Sequence, residues 1–268
     1  MDLTLQGRRA VVTGASRGLG RAMAVALAEE GVEVTAVARN AQRLAELAAA
    51  PPAEVAGSTA ASAKPRGRIV ARTCDLADGA SIEALGDALR EADILVINTG
   101  GPPPGPAAQT TDTVWTEQFQ SMFLSAMRLT RLALPGMRRR RFGRILVTVS
   151  SGVIQPIPNL GVSNALRSAL VGWAKTLAGE VAAEGVTVNC LAPGRIATDR
   201  VAELDQARAK REGIDLAQVE KESRTAIPAG RYGDQAEFAA LAAFLASPRA
   251  SYMTGGVIRV DGGMIRSV

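Results

Sequence analysis

Seven short apolar runs, separated by helical patterns almost throughout, constrain this chain more than any other feature. "RRAVVT", "VEVTAVA", "RIVARTC", "DILVIN", "RILVTVS", "VTVNCLA" and "VIRVD" read as strands, each carrying the β-branched Val or Ile that suits a pleated surface. The segments between the first six are long enough for crossover helices, and repeated β–α units imply a parallel sheet covered on both faces. Right-handed crossovers then make the expected fold class α/β: one doubly wound, single-domain Rossmann fold over residues 1–268, with a seven-stranded parallel sheet and helices on both faces. Hydrophobic residues make up 47% of the chain and aromatics only 3%, which suits small side chains and closely packed helices in a core that needs no disulfide or metal.

Two segments break the rhythm. The stretch from Pro51 to Gly67 is rich in Pro, Ala, Ser and Gly and reads as a mobile surface loop. The stretch from Ala197 to Gly230 is charged and helical and follows a strand's carboxyl end, so it reads either as a lid over a bound ligand or as an ordinary helical connection. Cys74 and Cys190 lie in strand-like runs and read as buried thiols, fitting a reducing, cytoplasmic setting. The amino terminus shows no signal-peptide pattern and no run is long enough to span a membrane, so no membrane partner is expected. Histidine is absent, which removes imidazole as base or metal ligand, and no metal site is expected. The net charge is +5 and the densest patch, "MRRRRFGR" from Met137 to Arg144, ends a helix, where cations are favoured by the dipole. No reading motif accompanies it, so no nucleic acid is expected as a partner.

"VVTGASRGLG" follows the first strand and opens the first helix. Glycines at 14, 18 and 20 permit a tight turn and close approach to phosphate, which the helix N-terminus attracts. The spacing Gly-x-x-x-Gly-x-Gly after Thr13 resembles the short-chain dehydrogenase/reductase family, classical type, and the resemblance extends over nearly the whole chain. It implies that Gly14, Ser16, Arg17, Gly18, Leu19 and Gly20 hold the cofactor's phosphates, and that Asp75 and Leu76 of "CDLAD" lie beside the adenine. It further implies that Asn98, Gly100 and Gly101 of "NTGGP" line the cleft, with Pro193, Gly194, Ile196 and Thr198 near the nicotinamide. The position where NAD-preferring enzymes carry an acid reads Ala38, followed by Arg39. Arg39 and Arg17 favour NADP(H) over NAD(H), because a guanidinium binds the 2′-phosphate that a carboxylate repels. The less favoured alternative is that both arginines are merely solvated surface charges.

In active members of that family a Ser, a Tyr and a Lys form the catalytic core, with an Asn on the helix after the fourth strand. Counted from both sides, the family's Ser falls on Ser150, with Ser151 as the alternative. Its Tyr falls on Ser163, its Lys on Arg167 and its Asn on Met122. The chain is thus similar to a divergent branch near the 3-oxoacyl-[acyl-carrier-protein] reductases, lacking the Tyr-x-x-x-Lys pair. Arg167 keeps a positive charge able to bond ribose hydroxyls, but it cannot relay a proton. Tyr232 and Tyr252 are the only tyrosines and read as structural packing. The three prolines of "NTGGPPPG" are expected to stiffen a wall of the pocket.

These residues allow an NADP(H)-dependent reductase of a ketone or 3-oxoacyl thioester that uses Ser150 and an ordered water, or an NADP(H)-binding protein that senses or assembles without turnover. The charged lid tips the balance to the reductase. The resemblance also implies a homotetramer or homodimer, paired through the two long helices that flank the fifth strand and through the last strand.

Overall fold

The computed structural model describes residues 2–50 and 66–267. Within them each apolar run forms a strand: β1 (Arg9–Thr13), β2 (Glu33–Ala38), β3 (Ile69–Thr73), β4 (Ile94–Ile97), β5 (Gly143–Thr148), β6 (Val186–Pro193) and β7 (Val257–Val260). All pair in parallel, in the order β3-β2-β1-β4-β5-β6-β7. The winding direction reverses between β1 and β4, which opens a crevice beyond their carboxyl ends. β4 shows no alternation, since Ile94, Leu95, Val96 and Ile97 are all buried, as a strand covered on both faces requires.

The helices are α1 (Gly18–Glu29), α2 (Ala41–Ala49), α3 (Gly79–Glu83), α4 (Gly86–Glu91), α5 (Asp112–Gln118), α6 (Ser125–Arg140), α7 (Gly161–Val181), α8 (Asp199–Glu212), α9 (Leu216–Thr225) and α10 (Gln235–Ala246). On one face α1 and α10 bury Ala24, Ala28, Ala239, Ala242 and Phe238 in one core. On the other, α4, α6 and α7 bury Leu89, Leu129, Ala133, Leu170 and Ala174. Alanines at these contacts let helices and sheet approach closely, which is why few aromatics are needed. Local chemistry fixes the helix starts. Asn40 accepts from the Arg43 N–H at 2.9 Å, Thr198 caps α8 through Val201, and Asp234 and Glu237 form a capping box on α10.

Most of the Pro51–Gly67 loop expectation, residues 51–65, lies outside the described residues. The arginine run is engaged within the fold. Arg138 pairs with Glu184, and Arg140 holds Asp93 and the Ala92 carbonyl. Arg144 is buried, stacks on Phe142 with its Cζ 4.2 Å from the ring centroid, and has its pKa pushed down to about 10 by burial and by Arg8. Tyr252 overturns its expectation: its side chain is fully exposed, because the turn after α10 points it away from the core. Among the described residues no helix is long and apolar enough to cross a membrane.

Candidate active site

The glycine turn lies where β1 meets α1. Gly14 has φ +61°, and a Cβ there would lie 2.4 Å from the Asn98 carbonyl oxygen. A Cβ on Gly20 would lie 2.2 Å from the Gly14 oxygen, so neither position accepts a side chain. Asn98 buttresses the turn, its N–H donating to Thr13 Oγ1 at 2.9 Å and its side chain reaching the Gly14 carbonyl at 3.5 Å. The first turn of α1 carries no acidic residue and no side-chain cap, so its N–H groups remain available to a phosphate. Ser16 and Leu19 are half-buried, Leu19 against the α1–α10 core, while Arg17 is exposed.

Arg17 is not simply solvated. Its Nη1 lies 3.0 Å from Glu203 and 3.4 Å from Asp199, both on α8, and the bond to Glu203 leads in raising its pKa. Arg39 is exposed just past β2. Asp75, exposed beyond β3, accepts from the Ala77 N–H at 3.0 Å, and Leu76 packs against the α4–α6–α7 core.

Past β6, Gly194 donates to the Val260 carbonyl, and a Cβ on it would meet Asp261 at 2.7 Å. Ile196 is buried and bridges to Gly233. Thr198 both caps α8 and stands beside Gly18, so residues 193–198 come to the same crevice as the glycine turn.

Ser150 and Arg167 approach from β5 and α7. Ser150 Oγ accepts from the Gly152 N–H at 3.1 Å, a turn-capping bond that leaves its own proton free to donate. Ser151 is buried whereas Ser150 is half-buried, which makes Ser150 the reachable hydroxyl. Along α7 the buried positions Val162, Ser163, Leu166, Arg167, Leu170 and Ala174 form one stripe, so Ser163 and Arg167 share the inward face. Arg167 donates to the carbonyls of Thr148 at 2.7 Å and Gly100 at 3.4 Å. Burial, and after it the charge of Arg200, pushes its pKa down to about 10. Met122 sits in a π-helical turn, Phe119–Leu124, between α5 and α6, and packs with Val162 and Leu166. Such turns recur at functional sites. Here the position presents a buried apolar side chain that offers no hydrogen-bond donor.

α8 and α9 occupy the charged segment that follows β6. Arg200 donates to the Pro102 carbonyl at 2.6 Å, and Gly105 N donates to the Asn159 carbonyl at 2.8 Å, so the proline loop is tied on both sides. The buried carboxylate of Asp205 binds Arg195 and accepts from the Tyr232 hydroxyl at 2.7 Å. That hydroxyl therefore helps to anchor α8. Sequence reasoning missed Asp199, Arg200, Glu203 and Asp205. One signal was present, since Arg200 is a cation in the first turn of a helix, where the dipole disfavours it. Among the described residues no group of three or more Asp, Glu, Cys or His side chains is placed to hold a metal ion.

Comparison with known proteins agrees with this fold. The model of a family described as enoyl-(acyl carrier protein) reductase matches residues 14–265. The 3-oxoacyl-[acyl-carrier-protein] reductase FabG of Vibrio cholerae is 36% identical over 264 residues, covering 98% of this chain and 99% of that protein. The crystal structure of L-sorbose reductase from Gluconobacter frateurii, complexed with NADPH and L-sorbose, superposes with a TM-score of 0.89 at 32% identity over all of both chains. YwfH, an NADPH-dependent reductase involved in bacilysin biosynthesis, gives a TM-score of 0.87 at 28% identity, covering 98% of this chain and 100% of that one.

Proposed function

The chain belongs to the short-chain dehydrogenase/reductase family, and from that premise we propose that it is an NADP(H)-dependent reductase of a carbonyl compound, a ketone or 3-oxoacyl thioester, with a non-standard active site. The observation that carries this reading is the convergence of one crevice. A glycine turn closed to a Cβ at Gly14 and Gly20, an uncapped helix N-terminus, Ser150 and Arg167 all meet at the carboxyl ends of β1, β4 and β5.

In this reading Gly14, Ser16, Gly18, Leu19 and Gly20 cradle the pyrophosphate. Arg17 and Arg39 take the 2′-phosphate, and Asp75 and Leu76 flank the adenine. Asn98, Gly100 and Pro193 through Thr198 border the nicotinamide. The fit is supported by the close packing that Gly14 and Gly20 allow against Asn98 and the turn itself, and by the first turn of α1, which has no side-chain cap and no acidic residue. When bound, the cofactor supplies a hydride. The protein must then meet the negative charge that develops on the substrate oxygen. Ser150, its oxygen fixed by Gly152, donates a hydrogen bond to that oxygen, Arg167 stabilises it as a fixed charge, and an ordered water supplies the proton that completes the alcohol. Ser163 ends several ångströms short of where a tyrosine oxygen would stand, so a water bridges it to the substrate. Losing a positioned phenol lowers the rate by roughly 10² to 10⁴. Orientation of the reactants contributes separately and survives. α8 and α9 serve as the lid over the crevice.

NADPH oxidation against a panel of ketones, a quinone and a 3-oxoacyl thioester, beside a direct NADPH titration, tests the reading. Turnover above the buffer rate is expected. NADPH binding without turnover on any compound would favour a cofactor-binding protein that senses or assembles. Homodimers or homotetramers through α6, α7 and β7 belong to the same proposal, and the exposed Tyr252 beside β7 suits such a surface.

A further inference from the structure

We infer that Arg167 and Arg200 form a subsite for a carboxylate on the substrate, so that the compound reduced is a small oxo acid rather than a neutral ketone. The inference rests on the reductase reading of the crevice and narrows its substrate class.

Arg167 is only 7% exposed, yet both of its hydrogen bonds go to neutral carbonyl oxygens, of Thr148 and Gly100. Three nearby arginines have carboxylate partners: Arg17 has Asp199 and Glu203, Arg200 has Glu203, and Arg195 has Asp205. Among the described residues none lies within ion-pair range of Arg167. Its charged neighbour is Arg200, another cation, which adds to the penalty of burial. The two guanidinium groups bracket one loop, Arg167 on the Gly100 carbonyl and Arg200 on the Pro102 carbonyl. A Cβ on the intervening Gly101 would lie 3.2 Å from the Arg200 guanidinium. Next to the carbonyls that hold Arg167, the buried hydroxyls of Thr99 and Thr148 have no hydrogen-bond partner.

A buried charge of this kind is normally compensated by an opposite one. Guanidinium has five N–H donors and matches a carboxylate bidentately, so donors beyond the two used by carbonyls suit an incoming anion. The cofactor's phosphates are the other source of negative charge. They belong at the glycine turn after β1, however, and β5, whose Thr148 holds Arg167, lies two strands away, about 10 Å. The anion that answers Arg167 therefore comes from the substrate side of the crevice.

Calorimetric titration of the NADP⁺-saturated protein with acetoacetate, levulinate and phenylpyruvate, each beside its methyl ester, tests this. At least one acid should bind about tenfold or more tighter than its ester, as a charge-assisted contact implies. Arg167→Met should abolish that preference, and should lose more affinity for the acid than for NADPH. Arg167→Lys should restore part of it. Arg200→Gln, a half-exposed position outside the core, should weaken the preference with NADPH affinity unchanged, which keeps the test open should Arg167→Met fold poorly. Equal binding of acid and ester, or no acid bound, would overturn the proposal. So would an Arg167→Met variant that loses NADPH affinity and keeps the acid preference, because the charge would then serve the cofactor. Reduction of neutral ketones without acid binding would sink the carboxylate subsite alone. Acid binding without reduction of anything would sink the reductase reading alone.

Discussion

The contact of Arg17 with α8 gives a measurable consequence for cofactor choice. If Arg17 takes the 2′-phosphate, that phosphate must draw the guanidinium away from Glu203 and Asp199, which hold it at 3.0 and 3.4 Å. Glu203→Gln removes the nearer charge and nearly preserves shape. The side chains of Arg17 and Glu203 are 49% and 47% exposed, so solvent screens the pair and its worth is about 0.5–1 kcal/mol. Released from that competition, NADPH should bind roughly two- to fivefold tighter. NADH lacks the phosphate and should gain little, so the ratio of the two dissociation constants is the readout, by nucleotide fluorescence titration at low salt. The gain should shrink as ionic strength rises, and should vanish in an Arg17→Ala background, where no guanidinium remains to be freed. A ratio unchanged by Glu203→Gln, or moved toward NADH, would refute the assignment of Arg17.

Other consequences follow from single contacts. Gly20→Ala places a Cβ 2.2 Å from the Gly14 oxygen and should destabilise the fold by about 1–3 kcal/mol in thermal melting, with loss of NADPH binding in titration. Asp205→Ala strips a buried carboxylate from Arg195 and Tyr232 and should weaken the docking of α8 and α9 by about 3–5 kcal/mol, seen as faster limited proteolysis within 199–225. Ser163→Tyr combined with Arg167→Lys should raise turnover on neutral ketones, by up to roughly 10²–10⁴ if a standard pocket remains; no rise would mean the pocket has diverged too. Burial pushes the Cys190 thiol up to about 12 and raises Cys74 as well, so both stay protonated at pH 8. Neither should react with a thiol reagent until the protein unfolds, and labelling in the native state would contradict the packing around them.

The sheet was legible because its signal is local. Each strand is a run of β-branched and apolar residues, and the structure moves the boundaries by only a residue or two, as with "DILVIN", where β4 keeps Ile94–Ile97. The glycine turn was legible for the same reason, since spacing and context lie in ten consecutive residues. What escaped was pairing at a distance. Nothing near Arg17 announces Glu203, and nothing near Arg195 and Tyr232 announces that Asp205 is shared between them. The π-helical turn at Met122 was also hidden, because one inserted residue shifts helical phase without changing composition. Tyr252 was misjudged since an aromatic side chain in a turn says little about which way the turn faces. Arg167 was seen as a retained charge, but not that it would be buried without a carboxylate, which depends on α7 presenting it beneath the ends of β4 and β5.

In the proposed reaction, hydride passes from the nicotinamide of an NADPH whose pyrophosphate lies at the glycine turn to a substrate carbonyl beside Ser150 and Arg167. The most direct test is a single-turnover reaction with NADPH carrying deuterium at C4 of the nicotinamide, labelled separately on each face, and mass analysis of the product. One deuterium is expected on the reduced carbon, from one of the two labelled forms only. NADPH held in the crevice, with no deuterium in any product from either form, would contradict it.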